Sequence, residues 1–70
     1  MLKSKEVMNG TNAVVIERRH IDLECDRVIC EYSHAVGEYA VWTTRQDKPL
    51  DGFWGHYNST LENAMKCYLA

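Results

Sequence analysis

RVICEYSHAVGEYAVWTTR, residues 27–45, is the stretch whose reading decides the fold. It divides into two segments, 27–34 and 38–45, with the strongest strand composition in the chain: Val28, Ile29 and Tyr32, then Tyr39, Val41, Trp42, Thr43 and Thr44. β-branched and aromatic side chains fit a pleated, half-buried surface, so both segments are expected as strands. Ala35, Val36 and Gly37 form the short connection between them. Gly37 is free to take the left-handed conformation that three-residue hairpin loops require, and the two strands should pair as an antiparallel hairpin.

Toward the C-terminus, residues 46–52 are polar and include Asp47, Lys48, Pro49 and Asp51-Gly52, a loop composition; residues 53–57 then read as a short aromatic strand. Ser59-Thr60-Leu61-Glu62 has the form of a capping box, in which the Ser59 hydroxyl and the Glu62 carboxylate each satisfy a free backbone N–H. Leu61, Ala64, Met65, Tyr68 and Leu69 follow at helical spacing as one apolar stripe, and Cys67 falls off it. The spacing predicts a helix over 60–69. A rod of ~15 Å is too short to be stable alone in water, so it must lie on the sheet.

Toward the N-terminus, residues 13–16 are apolar and largely β-branched. Ile21, Leu23 and Cys25 then alternate with His20, Asp22, Glu24 and Asp26, a period of two that predicts a half-buried strand. Parity breaks across Glu17, Arg18 and Arg19, which suits a bulge or a turn. Asn9-Gly10 suits a two-residue hairpin turn, and residues 1–10 are expected as a flexible tail or weak edge strand. The fold expected is α+β: a three- to four-stranded, mainly antiparallel sheet with one C-terminal helix packed on one face, residues 1–70 forming a single domain.

A chain of 70 residues buries too little surface for its core alone to supply more than roughly 3 to 5 kcal/mol, so a staple is expected. Three cysteines, an odd number, and the lack of an export signal argue against disulfides and for a reducing compartment, with a cytoplasmic location the expectation. No stretch approaches the ~20 apolar residues of a membrane span. A net charge of −2 argues against direct nucleic-acid binding by phosphate neutralisation. Self-association remains as the staple.

Chemistry-bearing residues are few. His20, Cys25, Cys30 and His34 are zinc-ligand types, but the two cysteines stand apart by more than a tight-turn spacing and fall on or beside different strands, so no metal site is assigned. His56 with Tyr57, Asp51 or Ser59 can be drawn as a base and nucleophile, yet Ser59 is used as the cap and a partly exposed strand histidine explains the same letters. No catalytic residue and no cofactor is therefore expected. Asp22, Glu24 and Asp26 would project from one strand face at ~6.6 Å intervals as an acidic comb, able to meet the basic, nucleic-acid-binding groove of another protein. One short helix cannot cover rings on both faces of a sheet, so some of Tyr32, Tyr39, Trp42, Phe53, Trp54 and Tyr57 must line a second surface.

Residues 27–70, with Cys30-Glu31-Tyr32, Glu38-Tyr39-Ala40-Val41-Trp42, Trp54-Gly55-His56-Tyr57 and a short helix with Glu62 and Ala64, resemble small uncharacterised proteins of phages and mobile elements in low-GC bacteria. The resemblance is one of aromatic strands and a helix and points to no defined family. It implies inhibition of a host defence protein, in the cytoplasm of a host bacterium, by occluding a surface or by sequestering a nucleotide signal as oligomers. Three readings follow. The first is a non-enzymatic interaction module that binds another protein through Asp22, Glu24, Asp26, Trp42, Trp54 and Tyr57. The alternative is a homo-oligomeric binder of a small anionic nucleotide-like ligand, in which Arg45, Trp42, Trp54 and Tyr57 from neighbouring copies stack on and neutralise it. A small enzyme using His56 is the third option.

Overall fold

A computed structural model describes residues 6–34 and 37–70 of the chain. Strands β1 (Ala13–His20), β2 (Cys25–Tyr32), β3 (Tyr39–Arg45) and β4 (Lys48–Asn58) precede one helix, α1 (Leu61–Leu69). The strands pair antiparallel in the order β1-β2-β3-β4, so the fold is α+β, a four-stranded meander with a C-terminal helix. The hairpin expected from residues 27–45 pairs without a shift from Cys25↔Arg45 to Glu31↔Tyr39, and Gly37 sits at φ 89. Ala35 and Val36 of its connection lie outside the described residues, as do residues 1–5 of the expected tail.

Alternation along the strands builds two cores. On one face Ile29 and Val41 pack with Ala64 and Tyr68 of α1, flanked by Tyr39, Met65 and Cys67. Cys67, expected off the apolar stripe, is half-buried, with its Sγ 3.8 Å from Asn58 Nδ2. Arg19 Nε of β1 donates to the Tyr68 carbonyl at 3.1 Å, and Arg27 Nη1 of β2 donates to the Ala70 carbonyl at 3.1 Å. These guanidiniums satisfy carbonyls at the helix's negative end, which ties α1 to the sheet.

The other face carries Ala13, Val28, Cys30, Ala40 and Trp42, and Met8 closes it. Residues 6–8 run back along β1, with Val7 bridged to Val14, Met8 N donating to Ala13 O at 2.9 Å and Val15 N donating to Glu6 O at 2.9 Å. The turn between them holds Gly10 at φ 72, where Asn-Gly is expected. Asn9 N then donates to Leu50 O of β4 at 2.9 Å. Since β1 and β4 are the two edges of the sheet, this contact requires the sheet to curl; Arg18 Nη2 of β1 reaching Pro49 O of β4 at 2.6 Å shows the same closure. The chain thus covers much of its own second face, and burying Met8 stabilises it by ~1.5 to 3 kcal/mol.

Three expectations are corrected. Residues 21–24 form a turn rather than a strand, because Asp22 Oδ1 accepts from the N–H groups of Glu24 and Cys25, each at 2.8 Å, and this local bonding overrides the period of two. The connection after β3 is only Gln46 and Asp47, and Lys48 to Gly52 belong to β4. Pro49 is tolerated there because β4 is an edge strand, where a missing N–H breaks no ladder. The helix N-cap is Thr60, with φ −137 and ψ 148, its side chain accepting from Asn63 N at 3.2 Å; Ser59 stands one residue before it.

Candidate functional site

Trp42 organises the exposed end of the molecule from inside. Its indole lies against the backbone of β4: a Cβ on Gly52 would come within 2.7 Å of Trp42 Cγ, and one on Gly55 would overlap Nε1 and stand 2.9 Å from Cδ1. The pairing of β3 with β4 passes from Val41↔His56 to Thr43↔Phe53, so Trp54 and Gly55 together oppose Trp42. This is a β-bulge, a device that re-aims a side chain. Trp54 takes φ 54, a left-handed conformation that costs a non-glycine residue ~1 to 2 kcal/mol. Its indole is 77% exposed, with its ring edge to Phe53 at 5.0 Å between centroids.

An open cleft of about 480 Å³ is lined by Tyr32, His34, Glu38, Tyr39, Tyr57, Asn58 and Ser59. The end of β2, the start of β3 and the end of β4 meet here. Trp42 braces the cleft from below, edge-on to Tyr57 at 6.0 Å and to Tyr32 at 6.4 Å, and Tyr32 is edge-on to His34 at 5.5 Å. Tyr57 is 68% exposed. Burial raises the Tyr32 hydroxyl above its ordinary pKa, with added repulsion from Tyr57, Cys30 and Glu38. Tyr39 is raised by loss of hydration first and then by the Glu31 carboxylate.

The other expected site residues are placed elsewhere. Asp22 and Glu24 are exposed in the β1–β2 turn, whereas Asp26 is buried, so the acidic comb does not form. Trp42 is only 7% exposed and offers no ring face to a partner or ligand. Arg45 is at the far end of β3 from Tyr39, opposite Cys25, with its Nε donating to Asp47 at 3.1 Å. Within one chain Arg45, Trp42, Trp54 and Tyr57 therefore do not share a site. Among the described residues no group of three His, Cys, Asp or Glu converges to hold a metal. Cys30 is buried, and that burial pushes its thiol up to about 12. His56 lies opposite Val41, Asp51 accepts from Asn9, and Tyr57 and Ser59 border the cleft; no hydrogen bond among the described residues joins His56 to Tyr57, Asp51 or Ser59.

One constellation escaped the sequence reading. Asp26 is 4% exposed and pairs with His20 Nδ1, with Arg18 Nη1 at 3.4 Å and with Gln46 Nε2 at 3.3 Å, while Arg18 Nη1 donates to Thr44 Oγ1 at 2.9 Å. Burial pushes the carboxyl up, but the hydrogen bond and charge of His20 and the bonds from Gln46 and Arg18 outweigh it, leaving Asp26 below its ordinary value. His20 and Asp26 oppose each other in the ladder; a turn at 21–24 would have revealed the pair. The network ties β1, β2, the β3–β4 turn and β4 together, which is a structural task. No helix among the described residues is long and apolar enough to cross a membrane. No family model matches the chain, and no curated protein or solved structure matches it either.

Proposed function

We propose that this chain is a non-catalytic protein-interaction module whose contact surface is the Trp54–Phe53 pair together with Tyr57 at the rim of the cleft. One observation carries the reading: a bulge holds Trp54 in a left-handed conformation with its indole turned to solvent. An exposed tryptophan on a strained backbone gains little for the fold, and such outliers gather at functional positions. Trp and Tyr also dominate the energetics of binding surfaces. The likeness of residues 27–70 to small phage and mobile-element proteins supplies a context, an inhibitor that occludes a surface of a bacterial defence protein.

The test is affinity capture from bacterial lysate on the immobilised chain, compared with variants whose fold is checked by circular dichroism. The expected result is one partner retained by wild type and by the double variant Asp22→Lys/Glu24→Lys, and lost with Trp54→Ala and with Tyr57→Ala. Retention by both aromatic variants would refute the assignment of the surface. Sedimentation of wild type beside Trp54→Ala separates a second copy from another protein as the occupant, because self-association would disappear with the indole.

A further inference from the structure

We infer that the cleft at the joined ends of β2, β3 and β4 binds an organic cation, a guanidinium or alkylammonium group, held against the rings of Tyr32, Tyr39 and Tyr57 with Glu38 as its counter-charge. The volume, about 480 Å³, falls in the range of ligand pockets and exceeds what one such group with its alkyl stem requires. Its lining decides the class of ligand. Three phenol rings line it, Tyr32 and Tyr57 from the Trp42 side of the sheet and Tyr39 from the helix side, and aromatic rings attract cations. Glu38 adds a full negative charge, and Asn58 and Ser59 offer oxygen atoms that accept hydrogen bonds from N–H donors. No Lys or Arg stands among the described residues of the lining, where His34 is the one basic side chain beside the Glu38 carboxylate.

An anionic nucleotide would meet the Glu38 carboxylate, and Arg45, which would have had to neutralise it, lies at the other end of β3. The cation has two possible sources: the Arg or Lys side chain of a protein partner, which rests on the interaction reading above, or a free amine or guanidine, which does not.

The experiment is an amide NMR titration of the full chain with ethylguanidinium and n-butylammonium, with acetate and inorganic phosphate as anionic counterparts. Saturable shifts are expected at Tyr32, Glu38, Tyr57 and Asn58 with both cations, at millimolar affinity, and not with the anions. Glu38→Gln should weaken cation binding several-fold. Tyr57→Phe should keep it, because the ring remains, whereas Tyr57→Leu should weaken it. No saturable cation shift, equal binding of phosphate, or an unchanged affinity in Glu38→Gln would overturn the inference. Partner capture divides the sources. If Glu38→Gln reduces capture while Trp54→Ala leaves ethylguanidinium affinity intact, the cation is a partner's side chain. If cations bind and no partner is captured, the site serves a free cation and the interaction reading fails by itself. Capture that needs Trp54 but ignores Glu38, with no cation shift, leaves the interaction reading standing and sinks this one.

Discussion

Replacing Trp54 with asparagine should cost the fold only about 1 kcal/mol while abolishing partner capture. The indole is 77% exposed, so less than a quarter of its surface is covered by the chain. A tryptophan buries up to ~250 Å² when enclosed, so the covered part is worth ~1.5 kcal/mol at ~25 cal/mol per Å². Losing the edge-to-face contact with Phe53 adds ~0.5 kcal/mol. Against these stands the left-handed backbone at φ 54, which asparagine adopts more readily than tryptophan and which returns ~1 kcal/mol. The balance corresponds to a fall in Tm of ~4 to 8 °C for a domain of this size.

Trp42 is the internal control. It is 7% exposed and fills the notch over Gly52 and Gly55, so Trp42→Ala should cost ~3 to 5 kcal/mol, as much as a core of this size supplies. Urea and thermal melts of both variants, followed by far-UV circular dichroism, measure the contrast. A loss of 3 kcal/mol or more in Trp54→Asn would show that the exposed indole is a packing residue, and its left-handed backbone a by-product of seating Trp42. The reasoning that makes it a binding residue would then fail.

Gly55→Ala should destabilise by ~1 to 3 kcal/mol and shift the tryptophan emission, because its methyl group overlaps Trp42; an unchanged melt would mean the indole has room to move. Tyr68→Phe should be neutral or stabilising by up to ~1 kcal/mol, since its hydroxyl is buried without a hydrogen-bond partner among the described residues, and a clear loss of stability in the melt would show that the hydroxyl is satisfied. Asp26 is held below its ordinary pKa in the folded chain, so its ionised form stabilises the fold fully above the usual aspartate value of 3.8, and that contribution is lost as pH falls through the lowered value. Asp26→Asn should therefore lower Tm at neutral pH and flatten the acid limb of a Tm-against-pH curve, and an unaltered acid limb would assign it to other carboxylates.

What the sequence disclosed follows from how local each feature is. The hairpin of 27–45 was legible because strand composition and Gly37 both act within a few residues. The helix was legible from its apolar spacing but its cap was not, since Ser59 and Thr60 are equivalent in chemistry and only backbone conformation separates them. The turn at 21–24 was hidden because Asp22 bonds its own neighbours within a segment that happens to alternate. Pro49 in β4 was hidden because edge position is a fact of the whole sheet. The same holds for the two tryptophans. Their opposite exposures depend on a bulge that arises only when Trp42 and Gly55 meet across strands, so no pattern within either segment distinguishes them.

If Trp54 is the contact residue proposed, the edge on which it stands sets the manner of recognition. An 11-residue edge strand presents unpaired N–H and C=O groups and is ordinarily a template for another strand. β4 is a poor template. Pro49 supplies no N–H near its start, a shift in register lies beside Arg45, and the Trp54–Gly55 bulge interrupts the regular spacing of donors and acceptors further along. Only short runs on either side of the bulge keep strand geometry, too few for a ladder whose stability grows with its length. The bulge that turns the indole outward thus also disables backbone pairing along the same edge. A partner that gains affinity here must gain it from side chains, the indole with its Phe53 neighbour on one side of the bulge and the tyrosine-lined cleft on the other.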